Sequence, residues 1–166
     1  MGFIGENGAG KSTTIKLILD LIKRNSGDIK IFGKDNISHG INIKEDVGIV
    51  FDESNFPETL RSCDVPHTMR HIYANCDDAV FAKYMRKFEL PSKKPFAKYS
   101  RGMKMKLVIA VALSHHAKLL ILDEATSGLD PIVRDEILDV FLDFIQDEKH
   151  SIFISSHIIS DLEKIA

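Results

Sequence analysis

The run Gly5-Glu6-Asn7-Gly8-Ala9-Gly10-Lys11-Ser12 carries the plainest chemistry in this sequence. It follows G-x-x-x-x-G-K-[ST] in full, between a short apolar segment and an amphipathic one. Its glycines let successive backbone N–H groups point inward. The helix start that follows adds positive potential, and Lys11 brings a mobile charge to outer phosphates. Ser12 then offers its hydroxyl to Mg²⁺. A second candidate stands far downstream, where Leu119-Leu120-Ile121-Leu122 leads into Asp123-Glu124. Acids at the carboxyl end of a buried strand lie where open α/β sheets bind ligands. Asp123 suits Mg²⁺, mostly through water, and Glu124 suits orienting or deprotonating a water that attacks a terminal phosphate. An acidic pair also caps loops, but the phosphate loop upstream favours the metal.

Those residues need strands that end together and helices that begin there. Short apolar runs at residues 28–32, 47–51, 119–122 and 152–155 have the length of buried strands, and residues 1–4 read as the stump of another. Ile15, Ile18, Leu19 and Ile22 recur at helical spacing, as do Val133, Ile137, Val140 or Phe141, and Phe144. Asp130-Pro131 begins the second of these helices, the aspartate as cap and the proline where no intrahelical N–H bond is required. Between the two halves the pattern turns helical, with Val80, Phe81, Tyr84, Met85 and Phe88 on one face of a helix over 77–88 and a loop at 91–95. This predicts an α/β fold with a mostly parallel sheet: a core in 1–51 and 117–166, and a helical insert in 52–116.

Composition narrows the class further. The 166 residues are 44% apolar and 28% charged, enough for one packed domain, and a net charge of -2 leaves no footprint for nucleic acid. No apolar run approaches the ~20 residues of a membrane-spanning helix. Cys63 and Cys76 have no metal-ligand or disulfide pattern. His115-His116 reads as a solvated pair at a helix end.

Around the acids three more elements stand in a telling order. Tyr99-Ser100-Arg101-Gly102-Met103-Lys104 opens a helix about twenty residues before them, Ala125-Thr126-Ser127-Gly128-Leu129-Asp130 follows them, and Ser155-Ser156-His157 ends a later strand. With the phosphate loop, this order resembles the ATP-binding subunit of ABC transporters, over the length of the chain. The resemblance implies a P-loop NTPase core with a helical subdomain. It implies MgATP held by Asn7, Gly8, Ala9, Gly10, Lys11, Ser12 and Thr13, with Ser12 and Asp123 on the metal. Glu124 and His157 become the catalytic pair, the histidine sensing the γ-phosphate. Ser100 and Gly102 grip the γ-phosphate of an opposite subunit, and Asp130 belongs to the loop at that junction. Ser100 also suits a helix N-cap, and the two roles are compatible.

The resemblance also implies partners: a second ATPase subunit packed head-to-tail, a separate membrane permease, and hence a place on the cytoplasmic face of the membrane. No nucleic acid is expected. Two other readings stand beside it, a soluble ABC ATPase outside transport and a shortened remnant that binds nucleotide without effective hydrolysis. Three departures bear on detail. Asp52 stands where the family usually carries a metal-contacting glutamine, and is carried over as a candidate Mg²⁺ ligand. Arg101 and Met103 stand where glycine and glutamine are commoner. Against the family pattern the sequence looks truncated at both ends, so no adenine-stacking residue can be named.

Overall fold

The computed structural model describes residues 2–6, 8–52 and 56–165. Four strands form a parallel sheet in the order β1-β6-β5-β4, with β1 at Gly2–Ile4, β4 at Val47–Phe51, β5 at Leu119–Asp123 and β6 at Ser151–Ser156. The register sets Phe3, Ser155, Asp123 and Phe51 in one row across it. All four strands therefore run out at the same edge, and the residues just beyond that row meet there. The α/β class with a parallel sheet is the one expected.

Alternation along the strands explains why both faces are covered. Val47, Ile49, Phe51, Leu119, Ile121 and Phe153 join a cluster with Ile15 and Ile18 of α1 (Lys11–Ile18) and with Leu19, which caps it. Val50, Leu120, Leu122, Ile152 and Ile154 face the opposite way, into a larger cluster with α5 (Arg101–Leu113) and α6 (Pro131–Ile145). That cluster also takes in Phe81 and Phe88 around α4 (Asp78–Lys87), so one continuous core joins the middle segment to the sheet. Gly48 is what lets α5 lie so near β4. A Cβ there would stand 2.6 Å from both the Ala112 carbonyl oxygen and a Leu120 methyl.

The caps expected at Ser100 and Asp130 are present, and Asp77 supplies a further one. Asp77 accepts from the Ala79 and Val80 amides at the head of α4, Ser100 from Met103 at the head of α5, and Asp130 from Val133 at the head of α6. Hydrogen bonds to those amides, first that of Val80, together with His116, hold the Asp77 carboxyl below its usual range.

Three expectations need correction. The run at 28–32 does not enter the main sheet. Only Lys30–Ile31 (β2) is extended, and it pairs antiparallel with Lys34–Asp35 (β3). The chain reverses at Phe32-Gly33, both at positive φ, and Asn36 ties the ribbon to the Leu17 and Ile18 carbonyls. The first helix stops before Ile22, because Asp20 turns left-handed (φ 54) and the Asp20 and Leu21 amides close back on Leu17 and Lys16, a Schellman end. Leu21 and Ile22 are left exposed.

The third correction concerns His115, which is 1% exposed rather than solvated. Its ring stacks on Tyr73 at 4.0 Å, and its two nitrogens face the Val47 and Val111 carbonyls. Burial pushes its imidazole below the usual histidine range. His116, at φ 56, is exposed as expected and meets Asp77. The remaining described α-helices are α2 (Gly40–Glu45), α3 (Val65–Ile72) and α7 (Ile159–Ile165). No described helix is long and apolar enough to cross a membrane.

Candidate active site

Beyond β1 the chain turns through Gly8 and Gly10, both at φ 87, and enters α1 at Lys11. A side chain at either glycine would strain that turn. Lys11 is only 5% exposed and folds back over its own loop, donating to the Gly5 carbonyl at 2.5 Å and the Glu6 carbonyl at 3.1 Å. Ser12 and Thr13 are exposed on the first turn, where the free N–H groups of the helix start lie. Asn7 lies outside the described residues, while Ala9 closes the loop by donating its backbone N–H to the Glu6 carbonyl.

At the end of β5, Asp123 is buried and accepts from the Ser155 hydroxyl at 2.6 Å. Glu124 follows at φ 53, a left-handed conformation that costs a non-glycine residue about 1–3 kcal/mol. The turn aims its carboxylate across the sheet. Oε2 meets His157 Nδ1 at 2.6 Å, and Oε1 lies 3.3 Å from the Lys11 ammonium. Oε1 is nevertheless buried without a hydrogen bond among the described residues. The close cation is thus an electrostatic neighbour in poor hydrogen-bonding geometry, and an acceptor is left free inside the site.

Lys11 opens α1 beyond β1, and Glu124 and His157 directly follow β5 and β6, so the parallel register brings together three residues remote in sequence. No hydrogen bond or ion pair joins Ser100, Gly102 or Asp130 to them among the described residues. Ser100 and Asp130 serve as exposed caps, and Gly102 lies against Val133, where a Cβ would stand 3.0 Å from a methyl. Asp52 follows β4 and ion-pairs with Arg101 at 2.5 Å.

The donor set fits Mg²⁺. The Ser12 hydroxyl and Asp123 carboxylate are hard oxygen ligands, and no described cluster of three or more His, Cys, Asp or Glu offers a full protein cage. Mg²⁺ is commonly held in this way, by one or two protein oxygens together with substrate phosphates.

One group escaped the sequence reading. Asp161 on α7 is fully buried, accepts from Thr126 Oγ1 at 2.5 Å and ion-pairs with Arg134, which also reaches Ser160. It fastens the segment after Glu124 to the helix after His157. A polar residue inside an apolar stretch was the available signal for Ser155, whereas nothing local marks Asp161.

Residues 1–127 match the family model described as ABC transporter. The bacitracin transport ATP-binding protein BcrA of Bacillus licheniformis is 39% identical over 168 residues, covering 99% of this chain and 54% of that protein. The lantibiotic transport ATP-binding protein SrtF of Streptococcus pyogenes is 35% identical over 168 residues, covering 98% and 70%. Among solved structures, an ATP-binding subunit of an ABC transporter superposes with TM-score 0.83 at 27% identity, covering 99% of this chain and 70% of the other. A dimeric ATP-binding cassette in a post-hydrolysis state, bound to ADP and Pi, reaches 0.85 at 20% identity, with 98% and 76% covered, a likeness of fold. The chain spans about half the length of several curated relatives it matches.

Proposed function

The chain belongs to the ABC transporter family, and from that premise we propose that it binds MgATP and hydrolyses it as a nucleotide-binding subunit, closing head-to-tail on a second copy and driving a separate permease. The observation that carries this reading is the Lys11-Glu124-His157 contact chain at the carboxyl edge of the sheet. It joins a cation suited to outer phosphates, a carboxylate suited to a water, and a histidine able to hold that carboxylate's second oxygen. Two relatives are named for bacitracin and lantibiotic transport, which supports a permease as the partner and the cytoplasmic membrane face as the working place.

In this reading residues 1–51 and 117–166 form the ATPase core and 52–116 the helical subdomain. Asn7 to Thr13 cradle the phosphates, with backbone N–H groups at the head of α1 and Lys11 as the mobile charge. Lys11 leaves the Gly5 and Glu6 carbonyls for the phosphate oxygens, because charge-assisted bonds are the stronger ones. Ser12 and Asp123, with Asp52, hold Mg²⁺, which supplies charge neutralisation on the phosphates. Glu124, relieved of Lys11, orients the attacking water and takes its proton through Oε1, while His157 holds Oε2. Ser100, Gly102 and Asp130 stand outside this cluster because they serve the nucleotide of the second copy.

The test is Glu124→Gln. The variant should keep nucleotide affinity, lose most turnover, and accumulate an ATP-bound dimer by light scattering. Normal turnover would remove Glu124 from the chemistry.

A further inference from the structure

Asp52 and Arg101, the two departures that change charge at the site, are 49 residues apart and face each other, Arg101 Nη2 lying 2.5 Å from Asp52 Oδ1. The same guanidinium fills the space that a side chain at Gly128 would take. A Cβ at Gly128 would stand 2.8 Å from Nη1, 2.9 Å from Cζ and 3.2 Å from Nη2. One planar group, at the first residue of α5, thus joins the segment after β4 to the segment after Glu124. Gly128 has the φ of 64 and the bare Cα that admit it.

We propose that Arg101 is a positioning residue that holds Asp52 away from the metal until a phosphate draws the guanidinium off, so that arrival of nucleotide releases one more oxygen ligand for Mg²⁺. The inference rests on the ATP-binding reading and adds an order of events to it. Four observations carry it. Phe51 pairs with Asp123 across β4 and β5, so Asp52 leaves the sheet beside the carboxylate best placed for the metal. An arginine has five N–H donors in a fork, and only one bond from this one is made among the described residues, so the guanidinium keeps capacity for a phosphate. Both partners are well exposed, at 54% and 41%, and an exposed pair contributes little. Finally, a nucleotide phosphate carries more charge than one carboxylate and accepts an arginine fork in two parallel bonds, so it competes well for the guanidinium.

The test measures binding rather than turnover. Mg²⁺ is titrated against a fixed fluorescent ADP in the full chain, for wild type, Arg101→Gln, Asp52→Asn and the double variant. Arg101→Gln frees Asp52 in advance, so half-saturation should fall to about fivefold lower Mg²⁺, equivalent to about 1 kcal/mol. The double variant should lose that gain and behave as Asp52→Asn. Arg101→Lys, which keeps the charge without the fork, should fall between. Identical Mg²⁺ dependence in wild type and Arg101→Gln, or a gain that persists without Asp52, would overturn the proposal and leave ATP binding standing. A wild type that binds no nucleotide at any Mg²⁺ concentration would overturn both.

Discussion

Removing Lys11 should destabilise the nucleotide-free chain as well as weaken ATP binding, because Glu124 is turned inward and depends on it. The two charges stand 3.3 Å apart with side chains 5% and 16% exposed. At an effective dielectric of about 20, that separation corresponds to about 5 kcal/mol of attraction before desolvation is subtracted. Breaking a buried pair from one side typically costs about 3–5 kcal/mol, since the surviving charge stays buried. Glu124 keeps some solvent and one bond to His157, so the low end applies to Lys11→Met, about 3 kcal/mol. For a chain of this size that lowers the melting temperature by about 6–12 °C. Glu124→Gln should cost less, about 1–2 kcal/mol, because Lys11 keeps its two carbonyl partners. The double variant removes both charges and should be about 2 kcal/mol more stable than the sum of the single effects. Urea unfolding without nucleotide or Mg²⁺ measures this cycle. Additivity within about 0.5 kcal/mol would refute the electrostatic coupling drawn from the geometry.

Three further outcomes follow from the packing. Gly48→Ala drives a methyl into the Ala112 carbonyl oxygen and Leu120, and should cost about 3 kcal/mol, seen as a lower urea midpoint at unchanged slope. His115 is held neutral by burial, so below about pH 6.5 the unfolded chain binds the proton first. Stability should then fall as pH drops toward the folded pKa, by at most about 1.4 kcal/mol per pH unit, and His115→Gln should flatten that slope in melting curves. Asp161→Ala leaves Arg134 without its buried partner, at a cost of about 3–5 kcal/mol, and should speed amide exchange at 125–130, with Asp161→Asn restoring part of the protection.

What could be read from the sequence is local in its physics. The phosphate loop, the acids at the end of β5, and the caps at Ser100 and Asp130 each depend on neighbours within a few residues, and their described residues lie on the elements expected of them. Parallel strands came through as continuous apolar runs, because both faces are buried. Arg101, Asp161 and His115 were opaque for the opposite reason. Their partners are remote or come from other elements: Asp52, Thr126 with Arg134, and Val47 with Tyr73. A histidine near a helix end looks solvated until β4 is known to pass beneath it. The ribbon at residues 30–35 is not legible because a run of strand-forming residues does not announce which sheet it joins.

The order of the strands has a consequence for how the chain is made. β1 has β6 as its one strand partner among the described residues, and Gly2 and Ile154 stand opposite each other although roughly 150 residues separate them. A ribosome adding about 5–20 residues per second needs roughly 8–30 s to supply that partner. Throughout that interval the phosphate loop hangs between a strand still lacking β6 and a helix whose apolar face, with Ile15, has no finished sheet to cover it. The first site residues to be synthesised are among the last to be assembled, so newborn chains should be drawn to chaperones until residues 151–156 have emerged.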